Sequence, residues 1–259
     1  MGTTRTNGSL YTNIVNGIAT VEFGHPAGNS FVAELLDRLT STIDQLSENN
    51  EVSVIVLRSE GDRAFCGGAS FEELSQVSTP SEGKIFFNRF ALLINAMRRC
   101  KKVIVGRVQG KTVGGGVGIT AACDYVFAAE AAIIRLSELT LGIAPWVIGP
   151  VVERKIGLAA LSALSLSPTE WKNAYWALEK GLFSKVFPKV GELDRELDIF
   201  TEKLVKYNPE ALQEWRRALW EGTGHWDTLL TDRAELSGRL VLSEQTRTML
   251  DTYKQQRGL

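Results

Sequence analysis

The sequence predicts an α/β fold, a mainly parallel and helix-covered sheet followed by a helical C-terminal third. Three observations carry this. Apolar runs of strand length alternate with segments of helical spacing in the first half. Two glycine-rich turns each follow such a strand, and from Ile148 onward the strand signals fade.

Taken in order, residues 11–23 alternate loosely between apolar and polar side chains around Asn16-Gly17, the signature of a tight hairpin turn. After His25-Pro26, residues 31–46 place Leu35, Leu36, Leu39, Ile43 and Leu46 at helical spacing, and 52–57 form a buried strand, which completes a β-α-β unit. A helix over 83–99 leads to a second strand at 103–108. A glycine-rich turn and short helix around 114–122 lead to a third at 125–129, with a further strand at 133–136. Residues 158–166, 169–180, 192–207, 209–221 and 227–257 read as helices, with Pro168-Thr169-Glu170 as a start signal and Lys180-Gly181 as a stop.

The chain has 259 residues, 44% hydrophobic and 23% charged, enough to bury a full core without metals or disulfides. Its 29 Lys plus Arg nearly balance 30 Asp plus Glu, so no global charge steers it toward nucleic acid or an anionic membrane. Cys66, Cys100 and Cys123 are odd in number and match no metal pattern, which fits free thiols in a reducing compartment. The polar N-terminus and the absence of a charge-free span make the cytoplasm the expected address.

Two segments carry chemistry. In 64–71 (Ala64-Phe65-Cys66-Gly67-Gly68-Ala69-Ser70-Phe71), small residues let a ligand approach the main chain, although a plain tight turn explains glycine pairs equally well. The second, Gly110-Lys111-Thr112-Val113-Gly114-Gly115-Gly116-Val117-Gly118, opens a helix whose N-terminus favours negative charge. A nucleotide loop is disfavoured because Lys111 precedes the glycines and neither G-K-[ST] nor G-x-G-x-x-G is present.

Together the two loops resemble those of the enoyl-CoA hydratase/isomerase, or crotonase, family, which carries similar A-F-C-A-G-A-D and G-x-x-x-G-G-G segments in this order. The similarity runs over about residues 18–187 and takes in His25-Pro26 with Asn29, Ala122-Cys123-Asp124 and 136–142. It implies a spiral core of repeated ββα units over 1–190 and a C-terminal helical region over 191–259 used for trimerisation. It also implies an acyl-CoA thioester as partner, with coenzyme A as part of the substrate and no further cofactor or metal, and a trimer or dimer of trimers as the assembly.

By the same resemblance, the N–H groups of Ala69 and Gly115 form an oxyanion hole for the thioester oxygen, suited to reactions that gather charge there. Ala64, Cys66, Gly67, Gly68, Phe71 and Gly114 line the acyl-CoA site beside them. Glu138 falls where the family places a catalytic glutamate. An arbitrary glutamate is a surface residue, but Ile133, Ile134, Leu136, Leu139 and Leu141 around this one imply an apolar setting that raises its pKa.

The sequence departs from the hydratases of the family twice. Gly118 stands where they carry a second glutamate, and Trp146 stands where glycine is usual, crowding the side on which water is held. Both departures favour double-bond isomerisation by one glutamate over hydration. Decarboxylation or dehydration of branched glutaconyl-type thioesters, acyl-CoA hydrolysis, and non-catalytic acyl-CoA or RNA binding remain alternatives.

His25 lies in the loop that lines the CoA groove in the family. His225, in a glycine-marked break, is a structural residue or a contact at the acyl end. Arg63, Lys254 and Arg257 are the basic residues considered for the CoA phosphates. Trp171, Tyr175 and Trp176, at helical spacing, read as a packing face.

Overall fold

The computed structural model describes residues 6–257. Strands β1 (Ser9–Val15) and β2 (Ile18–Gly24) form an antiparallel hairpin. Asn16 (φ 51°) and Gly17 (φ 81°) turn the chain, both in the left-handed region that a two-residue hairpin of this type demands. Helix α1 (Ala33–Glu48) buries Leu35, Leu36, Leu39, Ile43 and Leu46, and returns the chain to β3 (Val54–Ser59), parallel to β2.

From β3 onward the chain repeats one unit, a long strand, a short strand and a helix. The first unit is β3, β4 (Ala64–Cys66) and α2 (Phe71–Gln76). Helix α3 (Pro80–Arg99) then crosses to the second unit, β5 (Val103–Val108), β6 (Lys111–Val113) and α4 (Gly115–Ala122). The third is β7 (Tyr125–Ala129), β8 (Ile133–Arg135) and a single 3-10 turn, Glu138–Leu141. Helix α5 (Gly149–Leu166), β9 (Lys172–Asn173), α6 (Ala174–Glu179) and β10 (Lys185–Phe187) follow. The long strands and the short β10 form one sheet, β1-β2-β3-β5-β7-β10, and the remaining short strands form a second, β4-β6-β8-β9.

The long strands alternate their burial between two clusters. Ile55, Leu57 and Val126 point into the main core, while Val54, Val56, Val105 and Phe127 face α7 (Val190–Val205) through Leu193 and Leu197. Helices α8 (Pro209–Leu219), α9 (Trp226–Leu240) and α10 (Glu244–Arg257) complete the chain. Trp226, Leu230 and Ala234 of α9 enter the main core cluster beside residues of α3.

Several expectations need correction. Residues 169–180 do not form one helix; Trp171 precedes β9, and α6 begins only after Asn173, whose side chain accepts the Trp176 N–H at 2.8 Å. Residues 227–257 are two helices broken at 241–243. The small sheet and β10 carry no sequence period because each of these strands is two or three residues long and identified by backbone pairing.

Helices α3 and α9 cross at two glycines. A Cβ on Gly238 would lie 2.4 Å from Lys84 N and 2.6 Å from Gly83 C, main-chain atoms that cannot swing aside. Gly238→Ala is expected to lower stability by about 1–3 kcal/mol through overpacking. Gly191→Ala, at a helix site with nothing within 4 Å, serves as the neutral control in the same denaturant titration. Equal stability of the two variants would contradict a close crossing.

Candidate active site

A cleft of about 770 Å³ opens between the two glycine-rich loops, the 3-10 turn, Phe87 and Phe90 of α3, and the C-terminal helices through Ser237 and Tyr253. Hydrogen bonding in the first loop is almost fully spent. Gly67 N–H donates to Gly28 O (2.9 Å), Gly68 N–H to the Cys66 sulfur (3.3 Å) and Ser70 N–H to Phe31 O (2.8 Å). Ala69 bridges opposite Phe31, which bonds its two neighbours, so its own N–H has no acceptor among the described residues.

In the second loop, Gly114 N–H donates to Arg135 O (2.9 Å), and Gly114 O accepts from Val117 and Gly118. Gly115 is the first residue of α4, and its N–H likewise has no acceptor there. Glycine is required at both positions. Gly114 sits at φ 52°, ψ −119°, and a Cβ on Gly115 would lie 2.4 Å from Phe90 Cε1.

Glu138 begins the 3-10 turn, which Gly142 (φ 74°) closes in the left-handed conformation. Thr246 Oγ1 of α10 donates to Gly142 O at 2.9 Å and pins the turn from outside. A Cβ on Gly114 would lie 3.0 Å from Glu138 Oε1, so the carboxylate lies directly against the second loop. Its Oε2 is closed off from water and has no hydrogen-bond partner among the described residues, although the residue as a whole is only half-buried. Burial pushes the carboxyl up to about 7, against smaller downward pulls from its own N–H and the Arg135 guanidinium. Such a group is poised to exchange a proton near neutrality.

Of the other residues singled out in the sequence, Ala64, Gly67, Gly68, Phe71, Gly114 and Trp146 line the cleft. Phe71 packs on Tyr253 with ring centroids 4.8 Å apart, and the Trp146 indole N–H is buried without an acceptor. His25 also lines the cleft. Its Nδ1 accepts the Ala27 N–H (3.2 Å), which leaves Nε2 to donate to Thr6 O (3.2 Å).

Two of the expected site residues lie elsewhere. Cys66 is fully buried behind the first loop, against Gly116, with its thiol pushed up to about 12 by burial, so it shapes the loop without facing the cleft. His225 is exposed at the start of α9 and does not line the cleft. Arg63 and Lys254 are exposed and also lie outside its lining, and the Arg257 side chain lies outside the described residues.

The cations that do line the cleft are Lys111 and Arg135. Both lie over Trp171, with the Arg135 guanidinium 4.5 Å and the Lys111 ammonium 5.9 Å from its ring centre. Trp171 is thus a cleft residue rather than part of a helical packing face. The only local sign of Arg135 was a cation inside an apolar strand.

Gly118 lies inside α4, buried, and a Cβ there would sit 2.5 Å from Ile148 Cγ2 and 2.7 Å from Ile148 Cβ. The helix has no room for a longer side chain at this position. Among the carboxylates lining the cleft, Glu138 is enclosed and Glu72 is exposed at the rim.

Comparison with known proteins agrees with this architecture. Residues 13–253 match the enoyl-CoA hydratase/isomerase family. A probable enoyl-CoA hydratase of Bacillus subtilis is 25% identical over 244 residues, 93% of each chain. The peroxisomal Delta(3,5)-Delta(2,4)-dienoyl-CoA isomerase of Arabidopsis thaliana is 26% identical over 204 residues, 71% of this chain and 70% of its own. The crystal structure of an enoyl-CoA hydratase from Bacillus halodurans superposes with a TM-score of 0.87 at 20% identity, covering 94% of this chain and 99% of that one. A family match that begins inside β1 and ends within α10 takes in both glycine-rich loops and the glutamate that follows them, and so the chain belongs to the enoyl-CoA hydratase/isomerase family, enzymes of the hydratase and isomerase type.

Proposed function

We propose that the cleft binds an acyl-CoA thioester and shifts its double bond, with the Ala69 and Gly115 N–H groups holding the thioester oxygen and Glu138 moving the proton. The observation that carries this reading is the position of the Glu138 carboxylate, against the turn that bears the free Gly115 N–H. Glu138 takes a proton from the carbon next to the thioester carbonyl of a β,γ-unsaturated substrate. The electron pair delocalises into a dienolate whose oxygen receives the two N–H donors, which bind it more strongly than the neutral carbonyl. The same carboxylic acid returns the proton two carbons along, giving the α,β-unsaturated product. The chemistry calls for no group beyond the coenzyme A that the substrate carries.

Hydration is the second reading, favoured by the hydratases among the relatives. Against it stand the closed helix at Gly118 and the bulk of Trp146, which leave Glu138 without a partner to position water. Incubation in deuterated water with saturated, α,β-unsaturated, β,γ-unsaturated and glutaconyl-type acyl-CoAs separates these chemistries. Isomerisation gives deuterium at the two carbons without added mass from water, hydration adds the mass of water, decarboxylation loses carbon dioxide and hydrolysis frees CoA. Inertness toward the whole panel would leave only acyl-CoA binding and would refute the enzymatic reading.

The reading also fixes a pH dependence. Glu138 must be ionised to accept the first proton, and its pKa is about 7. The value of kcat/KM for a β,γ-unsaturated substrate is expected to rise roughly tenfold per pH unit below 7 and to level above it. A limb centred near 4.5 would point to a different base.

The assembly is inferred in the same way. Leu158 (66% exposed) and Leu166 (71%) on α5, with Trp215 (66%) on α8, are large exposed apolar side chains that a contact between copies of the chain would cover. Light scattering is expected to return three or six chains of 28.5 kDa, and a monomer would refute the inference.

A further inference from the structure

Lys111, Arg135 and Trp171 come together because the first two lie on neighbouring strands of the small sheet and the third immediately precedes the next strand, β9. Val113 of β6 pairs with Arg135 of β8. The antiparallel register of β8 with β9, Ile133 opposite Asn173 and Ile134 opposite Lys172, brings Arg135 level with Trp171. Neither cation makes an ion pair or a side-chain hydrogen bond among the described residues, and the guanidinium of Arg135 acts on the Glu138 carboxylate only through space. Arg135 Nε is moreover buried without an acceptor. The adjacent carboxylate, Glu170, is taken by Lys172 at 2.7 Å.

A guanidinium over an indole remains a planar set of N–H donors, and that planar fork matches a carboxylate through two parallel bonds. A second cation over the same ring repels the first unless an anion lies between them. We propose that these three residues form an anion subsite that reads a carboxylate on the acyl group, so that the preferred substrate is the CoA thioester of a dicarboxylic acid. The inference rests on the acyl-CoA reading of the cleft.

Reach decides between the two anions such a substrate offers. Arg135 O accepts the N–H of Gly114, the residue against which the Glu138 carboxylate lies, and the Arg135 guanidinium is near enough to act electrostatically on Glu138. The nearest CoA phosphate is separated from the thioester sulfur by about twelve bonds, comparable to four residues of extended chain, or about 14 Å. With the thioester beside Glu138, an oxyanion held by Arg135 belongs to the acyl group. A carboxylate a few carbons from the thioester spans the gap.

The test is binding of saturated acyl-CoAs, which need no turnover, to the full-length protein by calorimetry. Glutaryl-CoA is compared with pentanoyl-CoA and adipyl-CoA with hexanoyl-CoA. At least one dicarboxylic member is expected to bind 10-fold or more tightly than its methyl-ended counterpart. The ratio is expected to fall to about 1 in Arg135→Met and about threefold in Lys111→Met, while Arg135→Lys retains part of it. Melting temperatures close to wild type establish that the variants are folded.

The same comparison with acyl-pantetheines, which lack the nucleotide phosphates, is expected to keep the preference. Equal binding within both pairs in the wild type would overturn the proposal. So would an Arg135→Met loss that is equal for both members and disappears with the pantetheines, because that pattern places the cations on CoA phosphates. If the preference is present but no deuterium exchange occurs with any unsaturated thioester, the subsite stands and the isomerase reading falls.

Discussion

Glu138→Gln is expected to reduce deuterium exchange next to the thioester carbonyl, and isomerisation with it, by a factor of about 100 to 10,000 while leaving acyl-CoA binding within a few fold. The amide keeps the shape of the side chain and removes its ability to accept a proton. The same variant carries a stability signature of opposite sense. The carboxyl group titrates near 4.5 in its ordinary state and at about 7 in the fold, so the folded protein holds this proton more tightly than the unfolded chain does. Below pH 4.5 both states are protonated and the site costs nothing. Between 4.5 and 7 the unfolded chain ionises first and the cost grows, and above 7 it levels. With screening of a half-buried group taken into account, Glu138→Gln is expected to be more stable than wild type by about 1–3 kcal/mol at pH 8, with the gap closing toward pH 4.5. Denaturant titrations at the two pH values measure it. A variant that loses exchange but gains no stability at pH 8 would show that the carboxylate is not held in a desolvated setting.

This opposition between stability and chemistry indicates which features a sequence can disclose. The runs that became β3, β5 and β7 are largely buried on both sides and mostly apolar, and the Asn16-Gly17 turn is written in two residues with the required positive φ. The loops bearing Ala69 and Gly115 stood out because close approach to the main chain excludes side chains, which leaves a trace of glycine at Gly67, Gly68 and Gly114 to Gly116. Lys111, Arg135 and Trp171 left no such trace. Their meeting depends on the pairing of three strands of two or three residues, too short to show a period. The spacing of Trp171 to Tyr175 is helical and predicts a helix, whereas the pairing of β9 with β8 decides the backbone beside it. His225 drew notice as one of only two histidines, and rarity says nothing about where a loop points.

Gly118→Glu tests how the fold excludes a second carboxylate. The change would set a Cβ 2.5 Å from Ile148 Cγ2, at the interface of α4 and α5, and would send a carboxylate into a helix whose residues from Gly116 to Ala122 are all buried. Overpacking accounts for about 1–3 kcal/mol and an unpaired buried carboxylate for several more. The total approaches the whole stability of a typical domain, so the variant is expected to be largely unfolded or insoluble at 25 °C. Gly118→Ala carries the steric part alone and is expected to lose about 1–3 kcal/mol while keeping exchange activity. Pairing Gly118→Glu with Ile148→Gly removes both obstructing carbons, Cγ2 and Cβ. If packing at this contact is what denies the enzyme a second carboxylate, the double variant is expected to yield more soluble folded protein than Gly118→Glu alone, which circular dichroism and a denaturant melt would show. A single Gly118→Glu variant that folds like wild type and adds water to an α,β-unsaturated thioester would overturn both the closed-helix argument and the preference for isomerisation that rests on it.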